Sequence, residues 1–373
     1  MTAGEAPVVV AAMRSPIGSA GGALRGYPVA ELAAPVLRAA LDSAGVDAVD
    51  DVLLGNVFGP GGNPARVAAL RAGLGDGVPG VTIDRQCASG LAAITTAAAM
   101  IKSGEGEAYL AGGVESASTA PYRAWRTEPP TWYDRAPFAP ADIGDPDMGP
   151  AADLVAAEAG ISRERQDRFA ARSHERAVAA QRAGTFDSEI VPFGQVKHDE
   201  RPRAGFTVER LARFRPAFSE GGTTTAANSC GINDGAAVVL IVSESMRERL
   251  GLRGLRLLSS ATSAVDPNRL GLGAVEAMRE AGAALPAAPD VVEFNEAFAG
   301  QALACLDAAG LDEHTVSPDG GAIALGHPWG ASGAVLVVRL FTRLVRMGSA
   351  RTGLAALSAG GGVGVATAWE VTS

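Results

Sequence analysis

The sequence predicts an α/β protein made of two similar βαβ-type halves with a loop-rich insertion between them. Three observations carry this reading. Short apolar runs alternate with alanine-rich helical stretches over residues 8–122, and the last third of the chain repeats that order. Between them, residues 123–220 turn rich in Pro, Arg and Asp. Alternation of this kind builds βαβ units around a largely parallel sheet, whose strands read apolar because both faces are covered.

In chain order, residues 8–12 read as a strand, Val29–Ala44 as a helix stopped by Gly45, and 51–58 as a second strand. Residues 65–73 read as a helix, 81–84 as a short strand, Ser89–Ser103 as a helix stopped by Gly104, and 108–112 as a strand. Glycine ends such helices because it adopts the left-handed backbone at little cost. In the last third, Val291–Phe294 is a strand leading into Asn295, as the strand before Asn56 leads into that residue. Ala88-Ser89-Gly90 and Ala331-Ser332-Gly333 each open a helix. A strand and a glycine cluster follow each, Ala111-Gly112-Gly113 and Ala359-Gly360-Gly361. The insertion holds one clear helix, from about Ser162 to Gly184, with Phe169, Ser173, Ala177 and Ala180 on one stripe. Loops on a rigid scaffold commonly carry binding surfaces, so this region is expected to handle substrate. The expected division is 1–122 for the first half, 123–220 for the insertion, 221–250 for the completion of the first half and 251–373 for the second.

Composition narrows the class. With 373 residues, 47% hydrophobic and 20% charged, the chain is long and apolar enough for two or three domain-sized units. That excludes disorder as the main state and a small disulfide-held scaffold. A net charge of −9 argues against nucleic-acid binding and against docking on acidic lipid. Lys102 and Lys197 are the only lysines, and the many arginines are scattered, which reads as coding bias. Cys87, Cys230 and Cys305 lie far apart, with no Cys-x-x-Cys pair and no histidine at ligand spacing, so neither a metal site nor a disulfide framework is expected. The first seven residues carry no basic region, and no apolar run approaches the roughly 20 residues that span a bilayer. A cytoplasmic protein is expected.

Four segments could carry chemistry. Cys87 lies between a short strand and a helix opening at Ser89, where the helix dipole and free N–H groups favour thiolate. A lone cysteine is otherwise a small buried hydrophobe. His327, one of 4 histidines, stands in the glycine-rich block 320–333 at the mouth of the next helix. Its place in the second half nearly matches that of Cys87 in the first, and a Cys and a His at two helix N-termini make an activated nucleophile; alone, it would be a turn histidine. Asn295, at a strand end, can hold a water or a carbonyl oxygen, or serve an ordinary turn. The run from Ser358 through Gly360, Gly361 and Gly362 follows what reads as a final strand. It can aim N–H groups at an oxyanion, or simply turn the chain.

Together these segments are far more specific than any one. With Asn63-Pro64-Ala65-Arg66, Cys87-Ala88-Ser89-Gly90-Leu91, Ala111-Gly112-Gly113-Val114-Glu115-Ser116, Asn233-Asp234-Gly235-Ala236-Ala237, Asn295-Glu296-Ala297-Phe298-Ala299 and the block 320–333, the chain resembles the thiolase family over nearly its whole length. The resemblance implies a thiolase fold, layered α-β-α-β-α with an inserted loop domain, in a homodimer or homotetramer. It implies acyl-CoA as substrate and no permanently bound cofactor. Carried over, Cys87 is the nucleophile that takes the acyl group and His327 accepts its proton. His327 and a water on Asn295 hold the thioester enolate, and the N–H groups of Cys87 and Gly360 form an oxyanion hole. Met148 and Phe298 would lie near the pantetheine and Arg203 or Arg210 near the nucleotide phosphates.

The chain departs from the family pattern in three places. Ser358 stands where the family has its second catalytic cysteine, which takes the α-proton of the attacking thioester. Asp147 stands for the pocket histidine of a His-Met-Gly segment, and Cys230 for a coenzyme A-contacting serine. Acylation of Cys87 keeps its residues, while carbon–carbon bond formation loses its usual base. The leading reading is a thiolase-like acyltransferase that makes or cleaves 3-ketoacyl-CoA. The others are a variant acyl-CoA transferase or hydrolase, and a non-catalytic acyl-CoA-binding partner; retention of Cys87, Asn295, His327 and Gly360 argues against the last.

Overall fold

The computed structural model describes residues 4–372; residues 1–3, part of the N-terminal segment read above for a leader, and residue 373 lie outside it. In chain order the strands are β1 (Pro7–Arg14), β2 (Gly18–Ser19), β3 (Asp51–Gly55), β4 (Val81–Ile83), β5 (Ala108–Ser116), β6 (Arg123–Trp125), β7 (Thr131–Tyr133), β8 (Asn233–Ser243), β9 (Leu255–Ala264), β10 (Val291–Phe294), β11 (Thr352–Ala359) and β12 (Val363–Val371). The helices are α1 (Val29–Ala44), α2 (Pro64–Arg71), α3 (Ser89–Ser103), α4 (Met148–Glu158), α5 (Arg163–Arg182), α6 (Val208–Leu211), α7 (Glu244–Leu250), α8 (Ala274–Gly282), α9 (Ala299–Ala309), α10 (Ala322–Leu325) and α11 (Trp329–Phe341).

The large sheet has the order β10-β11-β12-β9-β1-β8-β5-β3-β4, with β2 against β8. It consists of two half-sheets joined where Val8 pairs with Arg256 and Val9 with Leu255. Three apolar clusters show the layering. One, with Leu32, Leu37 and Leu41 of α1 and Ala68 of α2, covers the outer face of the first half-sheet. Another, with Ala277 of α8 and Leu303 of α9, covers the outer face of the second. The third lies between the half-sheets around Leu91 and Ile94 of α3 and Val337 and Leu340 of α11. The result is the α-β-α-β-α stack that the resemblance implies.

The expectation of a largely parallel sheet does not hold. Only β3 with β4, β3 with β5, and β10 with β11 run parallel among the described residues. The pairs β1–β8, β5–β8, β1–β9, β9–β12 and β11–β12 are antiparallel. Strands read as apolar because both faces are covered, and layering supplies that cover whatever the strand direction. The glycines after Ser358 do not follow a final strand either. They turn β11 into β12, with Gly361 and Gly362 at φ 81 and 80, so Ser358 lies inside a strand. The helices Val29–Ala44 and Ser89–Ser103 run as read, each ending on a left-handed glycine.

Where the halves meet, α3 and α11 touch almost backbone to backbone. A Cβ on Gly333 of α11 would stand 2.6 Å from the Leu91 backbone nitrogen of α3, and one on Gly113 of β5 would stand 1.9 Å from the Gly330 carbonyl oxygen, so only hydrogen fits at either place. From the insertion, α4 and α5 pack on α9, and α10 packs on α5. A buried ion network ties this region to both halves. Arg14 of β1 pairs with Glu189 and Asp199 at 2.7 Å each, and Arg339 of α11 pairs with Glu189 and Asp319. Among the described residues no helix is long and apolar enough to cross a membrane.

Candidate active site

Cys87 stands on a tight turn just ahead of α3. Gln86 before it has φ 50, a left-handed backbone that few non-glycine residues adopt. Three hydrogen bonds hold it there. The Gln86 N–H donates to Asp84 Oδ1 at 2.9 Å, the Arg85 N–H donates to Ser89 Oγ at 2.8 Å, and Ser89 Oγ donates to the Gln86 carbonyl at 2.6 Å. The backbone N–H groups of Gly360 and of Cys87 itself face the sulfur and favour its charged form. Burial outweighs them, with Glu115 and Asp84 adding repulsion, and pushes the thiol up to about 12. Burial at the cavity wall thus works against the thiolate that the α3 N-terminus favours.

His327 precedes α11 as Cys87 precedes α3. Its N–H donates to Asn233 Oδ1 at 2.9 Å, and Asn233 Nδ2 donates to the Gly18 carbonyl at 2.8 Å, so β8 and β2 set the loop. Its Nδ1 lies 2.6 Å from Ser332 Oγ, which donates to the Pro328 carbonyl at 3.1 Å. That bond uses the hydroxyl proton, so the network assigns the ring proton to Nδ1. Nε2 is then the acceptor, with Asn295 Nδ2 donating to it at 3.5 Å. Burial lowers the His327 pKa to about 4, so the ring rests neutral with its basic nitrogen free to take a proton.

Cys87 and Gly360 line a cavity of about 440 Å³ together with Met148, Ile232, Phe138, Phe58 and Trp329. His327 and Asn295 do not line it, although the backbone of Ile232 bridges to His327. Ser358 is also absent from its walls. Its hydroxyl donates to the Gly271 carbonyl at 2.8 Å and accepts from the Ala274 N–H at 3.0 Å, with Cys305 Sγ 3.9 Å away. Asp147 lines the cavity and pairs with Arg135 at 3.2 Å.

The remaining expected contacts divide. Met148 faces the cavity, whereas Phe298 packs edge-on against Phe218 at 5.9 Å, next to Cys230, whose N–H donates to the Ala297 carbonyl. Arg203 lines a separate groove along α5, and the Arg210 guanidinium lies 5.0 Å over the Phe206 ring. Neither arginine reaches the cavity.

The sequence reading gave no role to Glu115, Phe58 or Trp329, although the first and last stand in segments quoted above. The buried Glu115 carboxylate accepts from Asn56 Nδ2 and from the N–H groups of Val57, Phe58 and Gly330, all between 3.0 and 3.1 Å. An acidic residue at the end of a buried strand was the available signal. Among the described residues, no group of three or more His, Cys, Asp and Glu is placed to hold a metal ion.

Comparison with known proteins completes the picture. Residues 7–245 match the family model "Thiolase, N-terminal domain" and residues 254–371 match "Thiolase, C-terminal domain". The acetyl-CoA acetyltransferase of Pseudomonas aeruginosa is 43% identical, over 96% of this chain and 98% of its own length. That of Cupriavidus necator is 42% identical, over 97% and 98%. A crystal structure of the Bacillus anthracis acetyl-CoA acetyltransferase superposes with a TM-score of 0.92 at 39% identity, covering 100% of both chains. The chain belongs to the thiolase family. As such it is an acyltransferase of the thiolase type, working on acyl-CoA by condensation or thiolysis.

Proposed function

We propose that acyl transfer runs through a thioester on Cys87. The observation that carries this is the convergence of the Cys87 and Gly360 N–H groups on one sulfur that opens into an apolar cavity. His327 Nε2 takes the thiol proton, and the sulfur attacks the thioester carbon of acyl-CoA. The bond from that carbon to the coenzyme A sulfur then breaks, and the departing sulfur takes the proton from His327. In condensation, a second acyl-CoA gives up an α-proton, which Ser358 receives and the departing Cys87 sulfur finally takes, and His327 with a water on Asn295 holds its enolate oxygen. Its carbon attacks the acyl-cysteine, whose oxygen is held by the two N–H groups, and Cys87 leaves. Thiolysis is the same path reversed.

Coenzyme A passes Met148, with Phe298 and Cys230 beside the pantetheine and the nucleotide out on the insertion toward Arg203 and Arg210. Assembly as a homodimer or homotetramer and action in the cytoplasm belong to the same proposal. Product analysis tests the reaction. Acetyl-CoA alone should give acetoacetyl-CoA, and acetoacetyl-CoA with coenzyme A should give acetyl-CoA, both lost in Cys87→Ala. Products that persist in that variant would refute the path.

A further inference from the structure

The Cys87 cavity and an open groove beside the β6–β7 hairpin share three wall residues, Phe58, Ala120 and Asp134. The groove holds about 560 Å³, and its lining also includes Tyr122, Arg123, Trp132 and Tyr133. Of the shared residues only Phe58 is large and apolar, so its ring is the main body between the two spaces. That ring is braced on two sides. It lies 4.6 Å from the Trp329 ring, centroid to centroid, and the Arg123 guanidinium sits 5.0 Å over its face. Arg123 Nη2 is itself fixed, donating to the Val57 carbonyl at 3.1 Å. Phe58 comes from the first half of the chain and Trp329 from the second. The Glu115 carboxylate fastens them, accepting from the N–H of Phe58 at 3.1 Å and from that of Gly330, beside Trp329, at 3.0 Å.

We propose that Phe58, braced by Trp329, is the partition that keeps the acyl group short by closing the Cys87 cavity off from the aromatic groove. The inference rests on the acyl-Cys87 reading above. A ring held by an aromatic partner, a cation and a clamped backbone cannot swing aside to admit a longer chain. Without that ring, the cavity runs into a groove whose aromatic wall suits further methylenes. Discrimination by an apolar wall of this kind is worth roughly 10–200-fold per group accommodated or refused.

The test is the rate of acylation by acetyl-CoA and by octanoyl-CoA, followed by intact mass in the wild type, Phe58→Ala and Trp329→Leu. The wild type should take acetyl at least about 10-fold faster than octanoyl, and Phe58→Ala should raise the octanoyl-to-acetyl ratio by roughly 10–200-fold. Trp329→Leu should raise it less, because it removes the brace and leaves the partition. Phe58→Leu replaces Phe58→Ala if the latter does not fold, with the same direction expected. A wild type that takes octanoyl as fast as acetyl, or a ratio that moves in none of the variants while acetylation persists, overturns the partition alone. A wild type that no acyl-CoA acylates overturns the acyl-cysteine reading and this inference with it.

Discussion

In the proposed reaction Ser358 stands, with a hydroxyl, where the resemblance implies a thiol that takes the α-proton. A free thiol ionises near ~8.5, within reach of a working base, and a serine hydroxyl does not. In this chain the hydroxyl is also engaged, by the Gly271 carbonyl and the Ala274 N–H. Acylation of Cys87 should therefore outpace condensation. Ser358→Cys should raise acetoacetyl-CoA formation by up to ~10²–10⁴-fold, the usual range for a general base, without speeding acylation. If condensation does not improve, another group is the base, and His327 is the first to examine. The proposed passage of the Cys87 proton to His327 makes a second prediction. His327 can take the thiol proton only when unprotonated, so acylation should rise with pH through about 4, where burial places its pKa. The rate should then stay flat through neutrality, since the free thiol ionises only near about 12. A rise centred near ~8.5, measured by rapid-quench acylation, would instead mean an ordinary exposed thiol. Cys87, His327, Asn295 and Gly360 could be proposed from the sequence because each sits in its own local motif. Phe58, Glu115 and Trp329 could not, because what matters is their contact across the two halves.

Helices α3 and α11 were legible as elements, with apolar faces and glycine signals, but their contact was not. It depends on Gly333 of α11 leaving room for the Leu91 backbone of α3, and α11 sits equally close on β5 because Gly113 leaves room for the Gly330 carbonyl. Gly113→Ala should therefore cost ~1–3 kcal/mol or more as an overpacked core site, seen as a lower midpoint in chemical denaturation. Strand direction was illegible for a related reason: an apolar run records cover on both faces, not the sense of its neighbour. The ion network of Arg14, Glu189 and Arg339 was hidden too, since its members lie on β1, in the insertion and on α11. Removing Glu189 leaves two buried guanidinium groups short of a partner, so Glu189→Ala should cost ~3–5 kcal/mol. A loss below ~1 kcal/mol would show that the insertion is held mainly by its apolar contacts with α9.

Across the whole molecule, the five-layer stack buries titratable groups deeply enough to tie stability to pH. Burial raises Glu115 and Glu296 from 4.5 to about 7 and Glu293 to about 8. These groups keep protons in the folded protein that the unfolded chain releases, so stability falls as pH rises from 4.5 through about 8. Burial lowers His174 and His327 from 6.5 to about 4, so stability also falls as pH drops through that window. The melting temperature should therefore decline between about pH 6.5 and about pH 8, and Glu293→Gln should flatten the decline.

One covalent bond, the thioester on Cys87, is the centre of the proposed chemistry. Intact-mass measurement after mixing with acetyl-CoA, with peptide mapping, should show one acetyl group per chain, on Cys87 and absent from Cys87→Ala. An unmodified wild-type chain, or an acetyl group that persists in Cys87→Ala, would contradict it.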